Sequence, residues 1–259
     1  MKIIVLLIFI AVLFWFFRSL FSKRKHKTWI LSDTHRQVLE EQVFFYSRLS
    51  AEDKASFEAR MEEFLSGITI TGVNTTVEDL DRVLIGASAI IPIFSFPNWA
   101  YTDINEVLLY PDNFSEDFRQ EGGDRAVLGM VGSGAMQGTM ILSQHELRKG
   151  FSNKTDKSNT AIHEFVHLID KSDGATDGLP ENIIRHQYVV PWLNLMHENI
   201  KTIRSGRSDI NPYGSTNEAE FFAVVSEYFF ERPDLLHRKH PELYSLLEQI
   251  FGKKADLAR

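Results

Sequence analysis

The run His163-Glu164-Phe165-Val166-His167 sets two imidazoles four residues apart, with a carboxylate directly after the first. On an α-helix, at about 100° per residue, His167 lies about 40° from His163 and Glu164 about 100° from it, so the three polar groups share one edge. Phe165, Val166, Leu168 and Ile169 fill the rest of the circumference. Two imidazoles one turn apart can reach a single Zn²⁺ at about 2.0–2.1 Å. The neighbouring carboxylate is angled past the inner ligands, where it can act as general base toward an attacking water. Two histidines and a glutamate would be costly to bury in so apolar a helix without partners, which favours a metal site over core histidines.

The chain has no cysteine, so any transition metal is held by histidines and carboxylates. Two places could supply a third ligand. Asp173 stands where an extended motif of this kind carries a last histidine, but it would need a sharp turn after Asp170, and no glycine is there to make it. The stretch Ser215-Thr216-Asn217-Glu218-Ala219-Glu220-Phe221-Phe222-Ala223 offers two glutamates. Ser215 and Glu218 form a capping-box pattern, which reserves Glu218 for the helix start. Glu220 can face inward beside the small Ala223, with Glu227 two turns on at nearly the same angle. The expectation is therefore Glu220 as third ligand and Glu227 as a carboxylate behind the site. Their rival roles are a cap at Asn217 and an ordinary ion pair, respectively.

The elements that must position these groups are legible in outline. Trp29 to Ser66 repeats at helical spacing, with a helix start at Ser50; Ile68 to Thr71 reads as a strand. Thr76 opens a helix through about Ile91 that ends near Pro92, and Asn105 to Tyr110 is a short strand. The glycine-rich segment 129–138 reads as a loop or hairpin, with Thr139 to Ser143 leaving it as a strand. That last strand, just ahead of the metal helix, is the expected place for an extended peptide to pair. The metal helix spans about 159–172, with Ser158 or Asn159 as N-cap and Gly174 as stop. A long helix from Asn182 to Ile203 should kink or break at Pro191, the third-ligand helix covers about 217–230, and Pro241 to Phe251 forms another.

Residues Ile3 to Phe17 are unbroken apolar and aromatic side chains, and 2–21 is long enough, at about 30 Å, to cross a hydrocarbon core. The flank Lys23-Arg24-Lys25-His26-Lys27 is no signal-cleavage site, and the positive-inside rule puts it on the cytoplasmic side. The expected organisation is a transmembrane helix at 2–21, a basic linker at 22–34 and one domain at 35–259, on the cytoplasmic face of the inner membrane. Residues 1–27 carry six positive charges and no negative ones, leaving the remainder at −13. So acidic a body argues against direct nucleic-acid binding.

Several stretches together resemble the Mlc titration factor A family of bacterial zinc peptidases, a gluzincin-type group similar in its catalytic domain to anthrax lethal factor. They are Ala161 to Asp170 with Asp173-Gly174 and Asp177-Gly178, Asn211-Pro212-Tyr213, and Glu218 to Phe230; a weaker likeness runs through Leu108 to Pro111 and Ile85 to Ile91. The resemblance spans roughly residues 35–240. It implies an α+β, helix-rich, zincin-like fold, with zinc on His163, His167 and Glu220, Glu164 as general base, and a peptide or protein as substrate. It also implies Tyr213 as donor to the oxyanion of the tetrahedral intermediate; the residues alone do not select Tyr213 over Tyr228. The family's best-known member titrates the glucose repressor Mlc, so a transcriptional repressor is an implied partner. A tethered protein that sequesters such a regulator, with its zinc structural or vestigial, is the alternative to a peptidase. The N-terminal span departs from that soluble member but lies outside the matched stretches.

Overall fold

The computed structural model describes residues 28–112, 129–132, 137–153 and 155–252. Three helices come first: α1 (Asp33–Gln42), α2 (Phe44–Ser47) and α3 (Ala51–Gly67). Ser32 and Ser50 open α1 and α3 by accepting from the backbone N–H of His35 and Asp53, so two otherwise orphaned donors are satisfied. Strand β1 (Thr69–Gly72) leads to α4 (Asp79–Ile93), followed by β2 (Glu106–Tyr110), β3 (Gly129–Val131) and β4 (Thr139–Ser143). The remainder is helical: α5 (Gln144–Ser152), α6 (Thr160–Asp170), a 3₁₀ turn (Lys171–Asp173) and α7 (His186–Arg204), then a second 3₁₀ turn (Pro212–Ser215), α8 (Glu218–Glu231), α9 (Pro233–Lys239) and α10 (Pro241–Phe251). The architecture is helix-rich α+β with one small mixed sheet.

The core gathers around α4, which is buried from Val83 to Ile93 and packs on α3, α5 and α6. Its approach to α3 depends on Gly86, where a Cβ would sit 2.7 Å from Met61 Cγ and 2.9 Å from Leu65 Cδ1. Buried Asp81 fastens its first turn to α5 by accepting from Arg148 Nε (2.8 Å), Arg148 Nη2 (3.0 Å) and Gln144 Nε2 (2.7 Å). At its other end Arg60 donates to the carbonyls of Ile93, Phe94, Phe96 and Trp99, at and just beyond the last turn. Helix α4 runs through Pro92 to Ile93 rather than ending near Pro92.

Strand order is β1-β2-β4-β3, with β1, β2 and β4 parallel and β3 antiparallel to β4. The glycine-rich segment thus contributes an edge strand and its turn, although 133–136 lie outside the described residues. This corrects the expected place for peptide pairing. Among the described residues β4 is hydrogen-bonded on both sides, whereas β3 is paired on one side only; β3 also packs against α6.

Other expectations also shift. The helix expected from Asn182 begins only at His186, and it passes Pro191 without breaking. Pro191 falls in the second turn, where one lost backbone bond is offset by Trp192, Met196, Ile200 and Ile203 packing into the core beyond it. Short helices α5 and α9 were not anticipated, having too few turns to show an apolar period. The described residues contain no helix long and apolar enough to cross a membrane; the expected span at 2–21 lies outside them.

Candidate metal centre

Helix α6 carries the H-E-x-x-H run between α4 and α8. Its N-cap is Asn159, whose Oδ1 accepts from Ile162 N at 3.2 Å, and its end is turned by the 3₁₀ segment into Gly174 at φ 104°. On α8, Asn217 Oδ1 accepts from the Glu220 backbone N at 2.9 Å. Asn217 therefore caps the helix, not Ser215, whose hydroxyl donates to Pro212 O. The capping box expected for Glu218 does not form, and Glu218 lies 3.5 Å from His197 instead. The Glu220 side chain is left free to turn toward α6.

Three side chains converge there. His163 Nε2 lies 3.0 Å from Glu220 Oε2 and 3.1 Å from His167 Nε2, and His167 Nε2 lies 3.5 Å from the same Glu220 oxygen. One atom from each falls within 4.8 Å of the others, so His163, His167 and Glu220 could hold a metal ion. Two ring nitrogens and a carboxylate oxygen form a donor set that suits zinc. Asp173 is not among them. Its carboxylate accepts from Ala175 N and Glu181 N, and it shapes the loop after α6.

Behind the cluster, Glu227 Oε1 lies 2.6 Å from His163 Nδ1, while its Oε2 accepts from Asn159 N at 2.6 Å. A proton held on Nδ1 by that carboxylate leaves the Nε2 lone pair facing the cluster, the tautomer a metal requires. Burial disfavours charge on His163, but the Glu227 and Glu220 carboxylates outweigh it and raise the ring's proton affinity. Glu220 is partly buried, yet the two histidines draw its pKa down to about 2, so it is ionised at any physiological pH.

Glu164 is buried beside the cluster, and desolvation raises its pKa against the pull of both histidines. It is roofed by β3, where a Cβ on Gly129 would lie 2.8 Å from Glu164 Cγ and Oε1 and 2.9 Å from Thr160 Cγ2. Only a residue without a side chain brings the strand this close. Across the cleft, Tyr213 sits in the 3₁₀ turn with its ring 6.1 Å from that of His163. Burial and the carboxylates of Glu220 and Glu164 push its hydroxyl up to about 12, which keeps it a donor. His163, Glu164, His167, Tyr213 and Glu220, with Gly129 and Met130, line one cleft of about 830 Å³.

The model of a family described as the glucose-regulated metallo-peptidase M90 matches residues 17–252. The chain belongs to that family. Among its relatives is the uncharacterised protein slr2042 of Synechocystis, 30% identical over 83% of this chain and 82% of that protein. The Mlc titration factor A proteins of Pectobacterium atrosepticum (28% identical over 82% of this chain and 83% of theirs) and Escherichia fergusonii (27% over 79% and 81%) are also similar. The M90 family places the chain with metallopeptidase-like proteins, and its cluster of two histidines and a glutamate is compatible with a metal ion.

Sequence reasoning missed the part that three groups play around the centre of this M90 chain. Asn159 was seen as a cap but not as the donor to Glu227. Gly129 was read as part of a loop, and no local signal ties it to Glu164, 35 positions on. Glu231 was passed over, although it follows Glu227 by one turn on α8 and its Oε1 accepts from Asn159 Nδ2 at 2.9 Å.

Proposed function

We propose that the chain is a zinc-dependent peptidase, anchored by residues 2–21 with its 35–259 domain facing the cytoplasm. The observation that carries the reading is the convergence of His163, His167 and Glu220 in a cleft that also holds a buried Glu164 and a protonated Tyr213. Zinc on that N,N,O set would supply Lewis acidity, polarising a peptide carbonyl and acidifying water.

The chain's own groups perform the rest. Glu164, whose burial strengthens its hold on a proton, takes one from the attacking water and delivers it to the leaving amine. Tyr213 donates from the open side of the cleft to the oxygen on which negative charge develops. Glu227 holds His163 in one ring orientation and tautomer. The edge of β3 that is unpaired among the described residues offers backbone donors and acceptors to an extended peptide, which would bring a scissile bond alongside Glu164. The apolar run at 2–21, the basic flank after it and the positive-inside rule support the membrane placement.

The deciding experiment is turnover of a peptide library by the zinc-loaded chain, with and without chelator, beside Glu164→Gln. Native hydrolysis lost on chelation is expected, with Glu164→Gln retaining zinc and losing roughly 10²–10⁴-fold in rate. Turnover by Glu164→Gln at the native rate would remove Glu164 from the mechanism, and a full metal complement in Glu220→Ala would remove Glu220 from the ligands. A second reading follows from the name Mlc titration factor A carried by relatives: the chain binds a transcriptional regulator, with its zinc structural. Absence of hydrolysis by the zinc-loaded native chain, together with regulator binding, would select it.

A further inference from the structure

A second cavity, of about 360 Å³, shares no lining residue with the metal cleft, and its size is within the range of small-molecule sites, about 300–1,000 Å³. Phe45, Ile91, Phe151, Ile162 and Phe230 supply apolar walls, and Phe44 stands half exposed at its lip. Ile162 belongs to the metal helix itself. Two acids join this lining, Glu231, the last residue of α8, and the exposed Asp234. Asn159 Nδ2 donates to Glu231 Oε1, and no donor among the described residues reaches Glu231 Oε2.

Among the described residues no cation pairs with Glu231. Arg232 also lines the cavity but is committed to Thr155 O, and the exposed Arg238 makes no ion pair with Glu231. Asp234 adds a carboxylate at the rim, while Glu227 and Asp156 act on Glu231 with like charge. Burial, with those carboxylates, pushes Glu231 up to about 8. Glu231 is only partly exposed, and a partly buried carboxylate without a cation is stabilised by a ligand that brings one.

We propose that this cavity is a second ligand site for a small organic ammonium ion on an aromatic or aliphatic stem, with the ammonium on Glu231 and the stem among the phenylalanines. The site is wired to the metal centre through Asn159. That one residue donates to Glu231 by Nδ2, caps α6 at Ile162 by Oδ1, and donates to Glu227 Oε2 by its backbone N. Glu227 in turn holds His163 Nδ1. Drawing Glu231 toward a bound cation therefore acts on the group that orients His163. By linkage, metal at His163 alters affinity for the cation by the same factor.

Phenethylamine, phenethyl alcohol and 3-phenylpropionate carry similar aryl-alkyl stems with a cationic, neutral or anionic head, and calorimetric titration of the full chain with each reads the site. At about pH 8.5, above the value of about 8 at which Glu231 ionises, the amine should bind about 10-fold tighter than the alcohol, with the propionate weakest. Glu231→Gln, with unchanged circular dichroism, should bring the amine to within about 2-fold of the alcohol. Equal affinities, a propionate that binds tightest, or an amine preference that survives Glu231→Gln would each overturn the assignment. Should Glu231→Gln fail to fold, the order of the three probes on the native chain still decides. Zinc titration with and without the amine tests the wiring: a shift of about 3-fold or more in zinc Kd is expected, and no shift refutes the coupling. None of these readouts is peptide hydrolysis, so the site stands or falls independently of the proposed peptidase activity.

Discussion

Replacing Gly129 by alanine would put a methyl group against the proposed general base. The new Cβ would meet Glu164 Cγ and Oε1 at 2.8 Å and Thr160 Cγ2 at 2.9 Å, whereas carbon contacts are comfortable at about 3.5–4.0 Å. Something must move by roughly 0.7 Å. Thr160 is fixed as the first residue of α6, so the displacement falls on the Glu164 carboxylate or on β3, an edge strand held from one side. A misplacement of about 1 Å at a reacting group costs on the order of 10²-fold, so hydrolysis should drop by roughly 10–100-fold. Overpacking should cost about 1–3 kcal/mol of stability. Zinc content should be unchanged, because the three atoms nearest a Cβ at Gly129 belong to Glu164 and Thr160 rather than to His163, His167 or Glu220. The assay is peptide turnover together with metal analysis, thermal melting and amide exchange at Met130. If the strand retreats instead, exchange there should speed up. Native turnover with native exchange would refute the reasoning.

Three further outcomes are expected. Glu227→Gln keeps a hydrogen-bonding atom near His163 Nδ1 but loses the charge, and zinc affinity should fall about 10–100-fold in a competition titration with little change in fold. Glu231 titrates near 8 in the folded chain, above the ordinary glutamate range, so the folded state holds a proton that the unfolded state releases. Its contribution is fully present below the unfolded pKa and is lost as pH rises toward about 8, by at most ~4 kcal/mol. Chemical denaturation at pH 5 and pH 8 should show that loss in the native chain and a flatter profile in Glu231→Gln. Gly178 stands at φ 76°, donates to Asp170 Oδ2, accepts from Trp192 Nε1, and has Glu218 O 2.3 Å from where a Cβ would lie. Gly178→Ala should therefore destabilise by more than ~2 kcal/mol in a melt and weaken metal binding, by pushing the start of α8 away from the end of α6.

Much of the centre could be read along the chain because its spacing is local. His163, Glu164 and His167 lie within two turns of one helix, so 3.6-residue geometry alone sets them on one edge. Glu220 and Glu227 follow from the same geometry on a second helix, once the lack of cysteine confines the ligands to histidines and carboxylates. Caps at Ser50 and Asn159 and the strand at Thr139–Ser143 were likewise visible, since each rests on residues within a few positions of one another.

What local pattern could not supply was the meeting of distant segments. Which of the acidic residues after α6 turns toward the histidines depends on where Asn217 caps α8, and that depends on α8 packing against α6. The exchange of β4 for β3 as the edge strand among the described residues follows from strand order, a property of the sheet rather than of either strand. Gly129 over Glu164, and Asn159 bridging Glu227 and Glu231, join groups 35 and about 70 positions apart, where no periodicity operates. The sequence by itself determined the chemistry available to this protein, because metal ligands and a base must be of particular types. Tertiary structure alone decided which of those groups meet, because burial and hydrogen-bond satisfaction are settled only when α6, α8 and the sheet edge close on one another.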